Sequence, residues 1–307
     1  SLGLKKMLPL SQVAAISEYS SSWTIFKEIT KFRLSISVLF SSIIGYFLGA
    51  ENVNWTVLAF LTVGGYCMVG ASNIFNQIIE RDLDNLMERT KSRPLPSGEM
   101  MLNQALILGF VLTLIGLVSL YCINPKTAMF GAISIFLYVS VYTPLKTKTP
   151  LCVFVGAFPG AIPFMLGWVA ATGYFGIEPG TLFMIQFFWQ FPHFWAIGWF
   201  LHDDYQRAGF QMLPTGKRDH GSALQIVLYS VWTAMTALIP IAHKTGSFFI
   251  TPFSGFVIGL FGLWLIWTAL RLYFLRTEKA AKRLMLVSVT YLTMVQVIYV
   301  IDKFFVQ

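Results

Sequence analysis

Asn76, Glu80 and Asp84 recur at four-residue intervals at the end of a long apolar run. At about 100° per residue in an α-helix they share one face with Asn73, all four within roughly 80°, and Asp82 points the opposite way. The segment that follows carries Arg89, Lys91 and Arg93 and ends in the turn-forming Pro94-Leu-Pro-Ser-Gly98. Hard oxygen ligands suit Mg²⁺, which is held by few carboxylates and shares substrate phosphate oxygens. Arg and Lys suit those phosphate oxygens. A carboxylate stripe beside a basic loop is thus the pattern expected of a magnesium–diphosphate site. Charge at the end of a membrane span is costly, which argues for function here.

The elements that must position these residues are membrane spans. Of the 307 residues 56% are hydrophobic and 12% charged, and the mean hydropathy is +0.66. Soluble domains carry about 25% charge. Apolar runs long enough to cross a bilayer lie near 31–49, 54–79, 102–122, 126–143, 151–172, 181–201, 223–242, 252–275 and 284–301. The predicted fold is all-α, a polytopic membrane protein of nine transmembrane helices around a central cavity. Residues 1–24 form an N-terminal cytoplasmic segment, without the features of a cleavable signal. Residues 25–307 form a single domain. Alternating the loops across the bilayer puts 19 of the 22 basic residues on one side and only Lys126, Lys244 and Lys303 on the other. The basic side, with the N-terminus, is expected to be cytoplasmic. An acidic helix end closes span 2 and another closes span 6, so two four-helix halves plus a ninth helix are expected to face each other.

Span 6 supplies the second stripe. Gln186, Gln190, His193 and Asp204 fall within roughly 60° on a continuous helical wheel, with Asp203 roughly 100° away. Pro192 lies between them as a possible site of kinking. Polar groups on one face of a membrane helix look toward a cavity or a partner helix. For His193 and the glutamines, interhelical hydrogen bonding is the alternative to a ligand role.

The loop Tyr142-Thr-Pro-Leu-Lys146-Thr-Lys148 adds further bases on the side of the acids. Positive-inside anchoring explains most of the bases, including Lys217–His220 and Arg271–Arg283. It does not explain bases interleaved with acids. Short basic loops between apolar spans speak against nucleic-acid binding. Cys67, Cys122 and Cys152 form neither a CxxC nor a Cys/His cluster, which speaks against a disulfide framework or a zinc site.

Asn76-x-x-x-Glu80-x-x-x-Asp84 with its RTKSRPLPSG tail resembles the first acidic motif of the UbiA family of intramembrane prenyltransferases, whose form is NxxxDxxxD. Tyr142-x-x-x-Lys146 resembles that family's YxxxK motif. The family's second motif, DxxxD, is replaced here by His202-Asp203-Asp204-Tyr205. The stretches ERDLDNLMERTKSRPLPSG, VYTPLKTKTP, PHFWA and HDDYQRAGFQMLP are similar to the branch of the family whose acceptor is haem b.

The resemblance implies transfer of the farnesyl group of farnesyl diphosphate to the 2-vinyl group of haem b, with Mg²⁺ bound to the diphosphate, in haem O and haem A biosynthesis. It implies Asn76, Glu80, Asp84 and either Asp203 or Asp204 as metal ligands. It places Arg81, Arg89, Lys91, Arg93, Tyr142 and Lys146 on the diphosphate. His193 and Gln190 are the haem-side candidates. Partners expected on this reading are the lipid bilayer and the haem A synthase or oxidase-assembly factors, in a bacterial inner membrane rather than a mitochondrial one. The alternatives are a prenyltransferase acting on an aromatic quinone precursor, or a transporter. A transporter explains the cluster poorly, because its site belongs near the bilayer midplane.

Overall fold

A computed structural model describes residues 21–307. Lys5, Lys6 and most of the 1–24 segment lie outside the described residues. Helices α1 (Ser22–Ile29), α2 (Phe32–Gly49), α3 (Trp55–Asp84) and α4 (Leu102–Ile123) come first among the described residues. Helix α5 (Pro125–Leu145) runs through a π turn at Leu137–Tyr142. Then come α6 (Cys152–Thr172), α7 (Ile177–Phe200), the short α8 (His202–Arg207), α9 (His220–Thr236), α10 (Pro252–Leu275) and α11 (Glu278–Ile301). Among the described residues, eight helices are long and apolar enough to cross a membrane. The chain is a multi-pass membrane protein. Helix α7, with 24 residues, is long enough, but its two glutamines, histidine and prolines dilute its hydropathy.

Backbone groups in lipid must be satisfied within the protein, so the helix ends are capped. Asn54 accepts from the N–H groups of Thr56 and Val57, Asn124 from Thr127, Asp219 from Ser222 and Thr277 from Ala280. At the far end of α2, Lys303 Nζ donates to the carbonyls of Phe47, Leu48 and Ala50 at 2.7–3.0 Å. A buried polar knot ties three helices together: Ser41 of α2 receives Gln186 of α7 at 3.3 Å and Gln296 of α11 at 3.0 Å. Helices without a hydrophobic force between them pack through small residues. Helix α2 meets α6 in this way. A Cβ on Gly167 would lie 1.8 Å from the Ser42 carbonyl, and one on Gly45 would lie 2.1 Å from the Phe164 carbonyl. Gly167→Ala must push these helices apart. A loss of about 1–3 kcal/mol is expected from such overpacking. Thermal denaturation in detergent reads it, and an unchanged midpoint would refute the close approach.

Helix α3 is the element that builds the site. Its 30 residues span about 45 Å at about 1.5 Å per residue, longer than a bilayer core of about 30 Å. The helix outruns the predicted 54–79 because nothing in residues 80–84 breaks it and the first proline comes at Pro94. The span 6 wheel fails. Helix α7 passes Pro192 unbroken, but Leu201 (φ −97°, ψ 12°) interrupts it before Asp203 and Asp204. These two aspartates belong to α8, and their register with Gln186 is lost.

Candidate functional site

The stripe on α3 faces inward as its spacing requires. Asn73, Asn76, Glu80 and Asp84 are all buried, whereas the Asp82 side chain is 84% exposed and pairs with Arg81 at 3.1 Å. Each of the three inner ligand candidates meets a base or a hydroxyl. Asp84, fully buried, receives Arg93 Nη1 at 2.8 Å. Glu80, with a side chain 4% exposed, lies 2.8 Å from Lys146 Nζ. Asn76 Oδ1 accepts from Lys31 Nζ at 3.2 Å, and its amide donates to Thr143 Oγ1 at 3.2 Å. Asn73 stands apart. Its amide donates to the Thr30 carbonyl at 3.2 Å and so anchors the α1–α2 turn.

Local backbone features aim these bases. Thr90 Oγ1 donates to the Asp84 carbonyl at 2.9 Å, folding the loop back so that Arg93 reaches Asp84. The π turn in α5 ends at Tyr142, and π turns are frequent at functional sites. Lys146 follows on the next turn, its ammonium 4.8 Å from the Tyr142 ring and 5.4 Å from the Phe210 ring. Aromatic faces and a carboxylate hold this cation in place. Lys31 adopts a left-handed conformation (φ 49°) at the start of α2. A non-glycine residue held there carries strain, and such residues cluster at functional sites.

Of the bases assigned to the diphosphate, the structure brings Arg93 and Lys146 to the acids, with Tyr142 beneath Lys146. Arg81 turns away to Asp82, and Lys91 pairs with Glu88 on the surface. The side chain of Arg89 is exposed. Lys31 and Thr143 are the site residues that the sequence reading passed over. Lys31 sat among the anchoring bases of the first loop, and its positive φ is invisible in the residue type. Asp203 is 74% exposed and pairs with Arg218 at 3.4 Å. Asp204 accepts the backbone N–H groups of Glu88 and Arg89 at 2.8 and 3.3 Å. Gln190 donates to the Gly160 carbonyl at 3.1 Å, which is the interhelical role. His193 Nδ1 lies 2.9 Å from Ser288 Oγ, and its ring stacks on Trp189 at 4.5 Å.

Among the described residues no three His, Cys, Asp or Glu side chains converge to enclose a metal. Asp84 Oδ1, however, is buried with no hydrogen-bond partner. One unsatisfied carboxylate oxygen beside Glu80 and Asn76 fits Mg²⁺ completed by phosphate oxygens, the usual way this ion binds.

The UbiA prenyltransferase family matches residues 38–293. The chain belongs to the UbiA family. It is 65% identical over 279 residues to a protoheme IX farnesyltransferase of Christiangramia forsetii, covering 91% of this chain and 93% of that protein. It is 60% identical over 298 residues to a protoheme IX farnesyltransferase of Flavobacterium psychrophilum, covering 96% and 99%. Solved UbiA-type structures share the fold at low identity. A digeranylgeranylglyceryl phosphate synthase superposes with a TM-score of 0.75 at 17% identity, over 91% of this chain and 98% of that one. A UbiA homolog from Archaeoglobus fulgidus bound to GPP and Mg²⁺ gives 0.62 at 13%, over 90% and 99%.

Proposed function

We propose that this UbiA-family protein transfers the farnesyl group of farnesyl diphosphate to the 2-vinyl group of protohaem IX, forming haem O. The observation that carries the reading is the 65% identity over 91% of the chain to a protoheme IX farnesyltransferase. The site agrees with it. The headgroup lies against the stripe on α3, at the cytoplasmic end of the helices, in the inner membrane of a bacterium like those of the relatives. Asn76, Glu80 and Asp84 would hold Mg²⁺, which supplies charge neutralisation to the leaving diphosphate.

Lys31, Arg93 and Lys146 stabilise the negative charge that develops as the C1–O bond of the allylic diphosphate breaks. Tyr138 and Tyr142, with ring centroids 5.2 Å apart beside Lys146, offer π faces to the allylic cation. The surrounding apolar helices keep water from it until the vinyl group attacks. The new bond joins the farnesyl C1 to the terminal vinyl carbon. Water then adds to the carbon next to the porphyrin and loses a proton, leaving a hydroxyethylfarnesyl group and free diphosphate.

On this reading His193 is the residue assigned to the haem side, as an iron ligand rather than a proton acceptor. Ser288 Oγ lies 2.7 Å from the Met285 carbonyl and 2.9 Å from His193 Nδ1; with its proton given to Met285 it accepts from an Nδ1–H. The Nε2 lone pair is left for a metal. A hydrogen bond behind the ring fixes its tautomer and direction, as in other metal-binding histidines.

The test is a reaction of purified protein with haem b, farnesyl diphosphate and Mg²⁺. A haem heavier by one farnesyl group and one hydroxyl group is expected, and the haem absorbance shift on binding should be lost in His193→Ala. Unchanged haem overturns the reading. Product from 4-hydroxybenzoate or a naphthoate instead would assign the chain to quinone-precursor chemistry.

A further inference from the structure

The segment from Asp204 to Gln211 touches both basic arms of the site. On one arm, Asp204 Oδ1 accepts the Glu88 N–H at 2.8 Å and Oδ2 accepts the Arg89 N–H at 3.3 Å. Arg207 lies 3.6 Å from Asp204 Oδ1 and 3.7 Å from Glu88 Oε1, bridging the two chains. Asp204 is thereby 14% exposed although it stands on a surface helix. On the other arm, the Gln211 N–H donates to the Lys146 carbonyl at 2.7 Å, and the Phe210 ring lies 5.4 Å from the Lys146 ammonium. The loop held by Asp204 is the one that delivers Arg93 to Asp84.

Both oxygens of Asp204 are thus engaged by the loop that follows α3. A carboxylate accepting two N–H groups is a strong, geometrically specific anchor. Metal coordination would have to displace bonds that already satisfy it. Asp203 offers no substitute, because it turns outward to Arg218.

We propose that Asp204 is a positioning residue, which clamps the 85–99 loop over the diphosphate site while Gln211 and Phe210 steady Lys146 from the same segment. The clamp sets the spacing between the arms of Arg93 and Lys146. The second acidic helix end then serves the basic residues of the site. This rests on the proposed diphosphate site.

The experiment compares the full-length wild type with Asp204→Asn and Asp204→Ala in detergent. Asparagine keeps one acceptor but turns an NH₂ toward the second N–H, and alanine removes both acceptors. Trypsin is to cut after Arg89 and Lys91 about tenfold faster in both variants, because charge-assisted bonds of this kind are worth about that factor or more. Inorganic pyrophosphate, titrated with Mg²⁺ in excess, is to bind about tenfold more weakly. The Mg²⁺ concentration for half-maximal pyrophosphate binding is to stay as in the wild type. A raised Mg²⁺ requirement with unchanged cleavage overturns the clamp and makes Asp204 a metal ligand. Unchanged cleavage and unchanged affinity also overturn it. If the wild type binds no pyrophosphate, the proposed function fails, and the cleavage rates still decide the clamp.

Discussion

Asp84→Asn is expected to lower farnesyl transfer by a factor of about 10²–10³ or more, whereas Asp82→Asn is expected to leave most of it. The two residues are separated by one position in the chain and by half a turn of α3. Asp84 is fully buried, takes Arg93 on one oxygen and leaves the other buried and unpartnered. An amide in its place keeps the shape but loses the charge that a divalent cation requires. It also leaves Arg93 partly buried beside a neutral group. Asp82 is mostly exposed and holds only Arg81, an ion pair of about 0–1 kcal/mol. The measurement is kcat for haem product at saturating Mg²⁺ and farnesyl diphosphate, beside the thermal midpoint of each variant. Equal losses at the two positions would mean that the inward stripe on α3 is not the metal face.

The contrast was legible in the sequence because α3 is regular where it matters. No breaker intervenes between Asn73 and Asp84, so the 100° step carries through to the last turn. The same wheel failed on the second stripe. The polar residues of α7 keep their phase past Pro192, but Leu201 resets the chain, and Asp204 ends on the 85–99 loop instead of in line with Gln186. A one-residue break at a helix end is set by tertiary contacts and leaves no periodic trace. The spacing of Tyr142 and Lys146 was readable, though not the π turn that sets their direction. Lys31 was hidden for another reason. Among many interfacial bases its distinction is a left-handed backbone and a reach to Asn76, and both follow from how α1 packs on α3 through Thr30, Asn73 and Gln77. Arg81 and Lys91 show the reverse error. They belong to the basic cluster in sequence, yet local acids two turns or fewer away claim them.

Lys146→Met carries the second large effect, and its interpretation depends on separating two roles. The ammonium lies 2.8 Å from the buried Glu80 carboxylate, so its removal strands a charge in a poorly solvated site. Breaking one side of such a pair costs about 3–5 kcal/mol. The thermal midpoint should therefore fall, and Glu80→Gln on top of Lys146→Met should restore much of it by removing the stranded charge. Turnover should behave differently. If Lys146 served only to neutralise Glu80, its loss in the Glu80→Gln background would cost nothing further. If it stabilises the departing diphosphate, the loss should persist there, at about tenfold or more in kcat, because the interaction is with the substrate and not with Glu80. The double-mutant cycle reads this directly, since contacts within one network couple and independent ones add. Stability should show strong coupling between the two positions and kcat little. Strong coupling in both would reduce Lys146 to a structural counter-ion and leave Arg93 and Lys31 as the groups that receive the leaving charge.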